Sequence, residues 1–157
     1  ATGFDAMTGS LLGMDIQGRS GLSLREKWAA GPRTYLGISI ADFPNLFTIS
    51  GPGSPSVLSN MIVTIEQHVN WIMDCVDFMR QEGLAAIEAN ADAEEAWVNQ
   101  GNELADMTLM PKCNSWYLGA NVPGKPRIFM PFVGGIPMYF ETCDRVATNR
   151  YEGFTLS

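Results

Sequence analysis

Residues 51–60 contain the side chains and spacing that most clearly suggest chemistry. The run begins Gly-Pro-Gly-Ser-Pro-Ser, which is too rich in turn-forming residues for regular structure, and it separates an apolar run from a long helical pattern. A helix N-terminus carries unpaired backbone N–H groups and partial positive charge, so this junction could stabilise an anion or an electron-rich ring. The alternative is a rigid connection that Ser59 or Asn60 caps. The run contains neither a GxGxxG dinucleotide fingerprint nor a P-loop lysine.

The segment 111–127 combines positive charge with aromatic side chains. It contains Lys112, Lys125 and Arg127 and no acidic residue, although the chain as a whole has a net charge of -7. Trp116 and Tyr117 between these cations suit stacking on a nucleotide and pairing with its phosphates. A long irregular segment in a compact domain is usually functional or mobile. An ordinary surface loop with a buried tryptophan anchor is the alternative.

The single histidine and the three cysteines argue against two common kinds of site. His68 lies inside a predicted helix whose apolar stripe skips it, so we expect a solvated or partly packed residue. With no GxSxG motif, a Ser–His–Asp hydrolase using Ser54 or Ser56 is disfavoured. One histidine and no CxxC pair provide no metal-ligand cluster, so we expect no metal site. Cys75 is predicted to be a small core residue, and the unpaired thiols favour a reducing compartment.

Composition restricts the class of protein. With 157 residues, 46% hydrophobic and 17% charged, the chain can form one ordinary globular core. Its negative charge argues against a nucleic-acid surface, and no apolar run reaches the roughly 18 residues of a membrane span. The chain begins at Ala1 without a signal-type segment, so we expect a cytoplasmic location and a segment of a longer protein. The acidic residues within 88–106 are expected to form a solvated helix face.

Hydrophobic periodicity and turn residues predict mixed α and β structure, with too few strand–helix alternations for a complete doubly wound domain. Four helices are predicted. The first begins at the Ser23 capping box and ends before Gly31-Pro32, and the others cover 61–81, Asn90 or Asp92 to Leu109, and Gly135 to Thr148. The predicted strands are 14–16, a pair formed by 35–40 and 46–50, 128–133, and a closing strand at 154–156.

Eight short motifs, in order along the chain, resemble the C-terminal part of Baeyer–Villiger monooxygenases. The first four are Ala1-Thr2-Gly3-Phe4-Asp5, Gly31-Pro32-Arg33-Thr34-Tyr35-Leu36-Gly37, Phe43-Pro44-Asn45-Leu46-Phe47 and Gly51-Pro52-Gly53-Ser54-Pro55-Ser56. The others are Ser115-Trp116-Tyr117-Leu118-Gly119-Ala120-Asn121, Pro123-Gly124-Lys125-Pro126-Arg127, Val133-Gly134-Gly135 and Tyr151-Glu152-Gly153-Phe154. Each motif is weak evidence alone, but the ordered set covers essentially the whole chain.

The resemblance implies an incomplete part of an α/β flavoprotein with two dinucleotide-binding domains. Residues 1–5 would end the NADP domain, and residues 6–157 would form the second half of the FAD-binding domain, including a mobile loop at 111–127. It implies an enzyme that uses FAD, NADPH and O2 to insert one oxygen atom beside a ketone carbonyl, giving an ester or lactone. The remaining N-terminal FAD/NADP portion would be its partner.

The resemblance also implies roles for particular residues. Met61 would present its backbone N–H to the flavin, and Phe4, Asp5 and Trp116 would contact NADP. The residues of the substrate pocket would be Ser56, Val57, Leu58, Met61 and Met130. It implies no catalytic residue in this segment, so the chain alone is expected to be inactive. The alternatives are a segment of an N- or S-oxygenating flavin monooxygenase and a stand-alone non-catalytic α/β binding module.

Overall fold

A computed structural model of the chain describes Asp5 and residues 7–157. The regular structure in this range is mostly helical, with one small antiparallel sheet of two strands. The helices are α1 (Gly9–Leu12), α2 (Leu24–Lys27), α3 (Met61–Glu82), α4 (Ala91–Asp106) and α5 (Ile136–Thr148). The strands are β1 (Ile87–Ala89) and β2 (Phe154–Leu156), and short 3-10 turns lie at Arg19–Gly21, Ser56–Leu58, Met110–Lys112 and Trp116–Leu118.

The long helices agree with the prediction because their end signals are strong. The Asn60 side chain accepts a hydrogen bond from the Ile62 N–H at the start of α3. Gly83 ends that helix in the left-handed conformation, which glycine adopts without steric cost. The capping box of Ser23 and Glu26 is present at α2. Helix α4 ends at Asp106 rather than Leu109, because the chain then enters irregular structure and a 3-10 turn.

Four of the five predicted strands are wrong. Residues 14–16 and 128–133 form no strand. The isolated bridge Ser39–Phe47 joins 35–40 to 46–50 and a second bridge, Tyr35–Ser39, lies within the first segment, so neither segment forms a strand. Positive φ angles at Leu36, Asp42 and Asn45 interrupt the extended backbone that a ladder requires. Only the closing strand, β2, is confirmed, and its partner β1 was not predicted because three residues with a central Glu88 give no strand signal.

The main core lies where α3, α4 and α5 meet the sheet. Cys75 and Cys143 are fully buried there, and Trp71 donates its indole N–H to the Cys143 carbonyl at 3.0 Å. Burial raises the pKa of the Cys75 thiol to about 11, as suits a core residue. No helix within the described part of the chain is long and apolar enough to cross a membrane.

Two polar residues are more buried than predicted: His68 was expected to be solvated or partly packed, and Glu94 to lie on a solvated helix face. His68 is 0% exposed, and Glu94 on α4 is 2% exposed. Glu94 accepts a hydrogen bond from the Ala41 N–H at 2.9 Å and pairs with Lys27 at 3.2 Å. Buried polar groups with satisfied partners leave no trace in an apolar periodicity, which explains both errors.

Candidate functional site

An open groove of about 530 Å³ lies beside the first turn of α3. Three parts of the chain form it: residues 7–11, residues 47–61 and Trp116. We call it the amino-end groove. Its lining residues are Met7, Ser10, Leu11, Phe47, Thr48, Ile49, Ser50, Gly51, Ser56, Val57, Met61 and Trp116. Four of the residues singled out from the sequence (Ser56, Val57, Met61 and Trp116) therefore meet at one place.

The loop that leads into the groove is held by hydrogen bonds from three distant segments. The Thr34 hydroxyl donates to the Pro52 carbonyl at 2.6 Å. The Trp97 indole N–H donates to the Gly53 carbonyl at 3.0 Å, and the Gly53 N–H donates to the Met130 carbonyl at 2.7 Å. These buried bonds fix the backbone before it reaches the groove, so the loop is preorganised rather than free.

Close backbone approach holds the same loop from its other side. The Ser54 hydroxyl donates to the Gly51 carbonyl at 2.7 Å, and the Ser54 carbonyl accepts from the Phe132 N–H at 2.8 Å. Gly37 has φ +69°, and a Cβ at that position would lie 2.6 Å from Ser54. Only glycine fits there, which explains the glycine that ends the second motif.

The N-terminus of α3 offers free donors to the groove. The Asn60 side chain accepts a hydrogen bond from the Ile62 N–H, whereas the Met61 N–H has no hydrogen-bond partner in the range that the structure describes. The Met61 side chain is 37% exposed. The unpaired N–H and the partial positive charge of a 22-residue helix favour a ligand edge that carries negative charge.

A chain of hydrogen bonds connects the groove to the core through His68. The Ser50 N–H donates to His68 Nδ1 at 3.0 Å, so the proton of the neutral ring lies on Nε2, 2.6 Å from the Tyr139 hydroxyl. That hydroxyl donates to the Leu36 carbonyl at 2.6 Å. Burial lowers the pKa of His68 to about 4, so the ring is neutral near pH 7. Ser50 Oγ is buried at the groove with no hydrogen-bond partner in the described residues.

Trp116 forms the exposed wall of the groove. It is 37% exposed, so it is not a buried anchor; the buried residue of its turn is Leu118. The Ser115 hydroxyl accepts from the Tyr117 N–H, and the rings of Trp116 and Tyr117 pack edge to face with centroids 4.9 Å apart. The Trp116 indole N–H has no partner among the described residues and remains available to a ligand.

The other residues singled out from the sequence lie away from the groove or beyond the described range. Leu58 is half-buried on the 3-10 turn of Ser56 and Val57. Met130 is 3% exposed and lines a separate cavity with Gly53 and Trp97. The Asp5 carboxylate is paired with Lys125, and Phe4 lies outside the described residues.

Several groove residues carried no signal in the sequence. Ser50 and Ile49 could have been noticed because they directly precede the glycine-proline run. Met7, Ser10 and Leu11 gave no pattern, since they line the groove with Trp116 from more than 100 residues away in the chain. Within the described part of the chain, no group of three or more His, Cys, Asp or Glu side chains could hold a metal ion.

Comparison with known proteins finds no matching family model. The chain is 44% identical over 158 residues to an acetone monooxygenase (methyl acetate-forming) of Gordonia sp. strain TY-5, covering 100% of the chain and 30% of that protein. It is 39% identical over 156 residues to the phenazine N-monooxygenase PhzNO1 of Lysobacter antibioticus, covering 99% of the chain and 28% of the relative. The structure superposes on a cyclohexanone monooxygenase from Rhodococcus sp. Phi1 bound to NADP+ with TM-score 0.96 and 38% identity, covering 100% of the chain and 29% of that structure.

These relatives place the chain among the flavoprotein monooxygenases of the FAD/NADP type. Within that class, the chain is homologous to the C-terminal segment of the Baeyer–Villiger monooxygenases. It spans about 30% of the length of the curated relatives that it matches.

Proposed function

We propose that the chain forms one wall of the cofactor and substrate cleft of a Baeyer–Villiger monooxygenase that uses FAD, NADPH and O2. Such an enzyme inserts one oxygen atom beside a ketone carbonyl and releases an ester or lactone. The main support for the proposal is that Met61, Val57 and Trp116 all line the amino-end groove. Residues 1–5 would belong to the end of the NADP domain and residues 6–157 to the second half of the FAD domain.

The donors around the groove fit a flavin and a nicotinamide nucleotide. FAD, when bound, supplies oxygen transfer, and NADPH supplies the hydride. The unpaired Met61 N–H would donate to the flavin, and the positive end of α3 would favour negative charge on that ring. The free Trp116 indole N–H would donate to NADP, with Phe4 and Asp5 near the same nucleotide. Closure of the groove by Trp116 would keep water from the reacting atoms.

The substrate would lie against mostly apolar walls. Val57, Leu58 and Met61, with the buried Ser56 beside them, suit a ketone of low polarity. Met130 would reach the pocket from the opposite side. It lies behind the Gly53 backbone, because its carbonyl accepts a hydrogen bond from the Gly53 N–H. The segment supplies walls and positioning, whereas the catalytic residues would come from the remaining FAD/NADP portion of the enzyme.

The proposal can be tested with a chimera in which the chain replaces the matching segment of a cyclohexanone monooxygenase. We expect ketone-dependent NADPH oxidation with ester or lactone as the product, measured by absorbance and mass spectrometry. Met61→Ala should widen the pocket and shift the preferred ketone by about 10-fold in kcat/KM, the size of effect expected for one side chain in a hydrophobic pocket.

Met73→Ala is the matched control, because Met73 is an exposed methionine three turns further along α3 and outside the groove. If both variants keep the ketone preference of the parent chimera, Met61 does not line the substrate pocket. A chimera that binds FAD but oxidises NADPH without oxygenating any ketone contradicts the proposed activity.

A second candidate is oxygenation of a ring nitrogen, because one relative at 39% identity is named a phenazine N-monooxygenase. The chimera should therefore also be offered an N-heteroaromatic compound. An N-oxide formed with a higher kcat/KM than any ester would favour this candidate.

A further inference from the structure

Lys125 contacts two residues from the start of the described chain, and these two residues also contact each other. Its ammonium group is paired with the Asp5 carboxylate and donates a hydrogen bond to the Thr8 hydroxyl at 2.6 Å. The Thr8 hydroxyl in turn donates to Asp5 Oδ1 at 3.0 Å. The Lys125 side chain is only 12% exposed, and Thr8 is 1% exposed. We call these three residues the Lys125 latch.

One side of the latch reaches Trp116 through a series of turns. The Gly119 N–H donates to the Trp116 carbonyl, the Val122 N–H to the Gly119 carbonyl, and the Lys125 N–H to the Val122 carbonyl. The Lys125 stem also crosses Gly119 so closely that a Cβ at Gly119 would lie 2.8 Å from Lys125 Cδ. Lys125 is therefore linked, by backbone hydrogen bonds and by its contact with Gly119, to the turn that carries Trp116.

The other side of the latch adjoins a second part of the groove lining. Thr8 directly precedes α1, and its neighbours Met7, Ser10 and Leu11 line the groove together with Trp116. These two parts of the lining are more than 100 residues apart in the chain, and the latch ion pair joins the segments that carry them. The Lys125 side chain is 12% exposed and the Asp5 side chain 32% exposed, and a charge-assisted hydrogen bond between partly buried groups is stronger than one between neutral groups.

We propose that Lys125 is a positioning residue that holds the Trp116 turn against residues 7–11 through Asp5 and Thr8, and so keeps the amino-end groove assembled. Asp5 then acts as the anchor of this turn. The structural part of the proposal depends only on the contacts described above. Its kinetic consequence rests on the proposed function, because it assumes that Trp116 meets NADP.

Hydrogen exchange of the 157-residue chain tests the structural part. Lys125→Met keeps most of the stem and removes the charge, so amides 116–122 should exchange about 10-fold faster, the effect of losing one hydrogen bond to a charged group. Lys112→Met is the matched control, because Lys112 is an exposed lysine in the same segment and has no ion pair with any residue that the structure describes. It should leave these amides unchanged.

Two further variants separate the latch from a general loss of structure. Asp5→Asn removes only the anchor charge and should accelerate the same amides, with α3 and α5 unchanged. The exchanged pair Asp5→Lys with Lys125→Asp should restore at least half of the lost protection. The proposal is overturned if amides 116–122 keep their exchange rates in Lys125→Met and Asp5→Asn, or if exchange rises equally throughout the chain in both.

The kinetic part is tested in the chimera. Lys125→Met should raise the KM for NADPH about 10-fold with a smaller change in kcat, because it loosens one ligand-binding wall without touching reacting atoms. An inactive parent chimera would count against the proposed function, whereas the exchange measurement would still decide on the latch.

Discussion

Single residues in this chain show where sequence patterns lose information. His68 was expected to be solvated or partly packed because it lies off the apolar stripe of α3, yet it is fully buried and both ring nitrogens are satisfied. Its partners, Ser50 and Tyr139, are 18 and 71 residues away along the chain. No local pattern could pair them. No local pattern could pair Lys125 with Asp5 either, because the two residues are 120 positions apart in the chain.

The buried His68 makes stability depend on pH in a defined window. The pKa of His68 is about 4 in the folded chain against 6.5 for a free histidine, so the unfolded chain binds the proton more tightly. Its contribution is fully present above pH 6.5 and is lost as the pH falls towards 4. The loss should amount to about 3 kcal/mol.

Urea unfolding at pH 7 and pH 4.5 measures this loss. His68→Gln keeps a donor and an acceptor but does not titrate, so its free energy of unfolding should fall less between these pH values than that of the parent. The carboxylates contribute equally to both proteins and cancel in the comparison. The same pH dependence in parent and variant would show that His68 does not cause it.

At the level of elements, the sequence predicts what local signals determine. The extent of α3 and α5, the Ser23 capping box and the closing strand β2 follow from periodicity and end signals. Residues 35–50 were wrongly predicted as paired strands, because a continuous apolar run indicates burial but not conformation. Their backbone is set by distant contacts, such as the Thr48 hydroxyl bond to the Gly37 carbonyl at 2.9 Å.

Trp97 lets one such distant contact be tested. Trp97→Phe removes the indole donor to the Gly53 carbonyl and preserves an aromatic ring for stacking on Phe132, whose centroid lies 4.9 Å away. The loss should cost about 1–2 kcal/mol of stability. It should also accelerate hydrogen exchange at residues 53–57, because the loop loses one of its fixed points.

Trp28→Phe is the matched control for this change. Trp28 is equally buried, and its indole N–H donates to the Arg33 carbonyl at the same distance of 3.0 Å, outside the loop. Both variants should lose similar stability, but only Trp97→Phe should loosen residues 53–57. Equal exchange of the loop in both variants would mean that the Trp97 bond does not position it.

At the level of the whole molecule, the proposed function makes the amino-end groove one side of a cleft. Met61 at the start of α3 and Trp116 are each 37% exposed, and both line the open groove. The family resemblance identified these groove residues. Composition and spacing alone left two alternatives open, a rigid connection for residues 51–60 and an ordinary surface loop for residues 111–127. Under the proposed function, what approaches the groove from the other side lies outside the chain, so its geometry could not be predicted from these residues.

The 157-residue chain should therefore be inactive when tested alone. It contains no GxGxxG run, and such a run provides the tight turn and helix N-terminus that bind a dinucleotide pyrophosphate. Chain supplied with FAD, NADPH, O2 and a ketone should oxidise NADPH no faster than a mixture without the chain, as followed by absorbance. The chimera at the same concentration is the positive control, because it adds both dinucleotide-binding halves to the same groove. Ketone-dependent turnover by the chain alone would contradict this expectation, since one wall of the cleft would then be sufficient for catalysis.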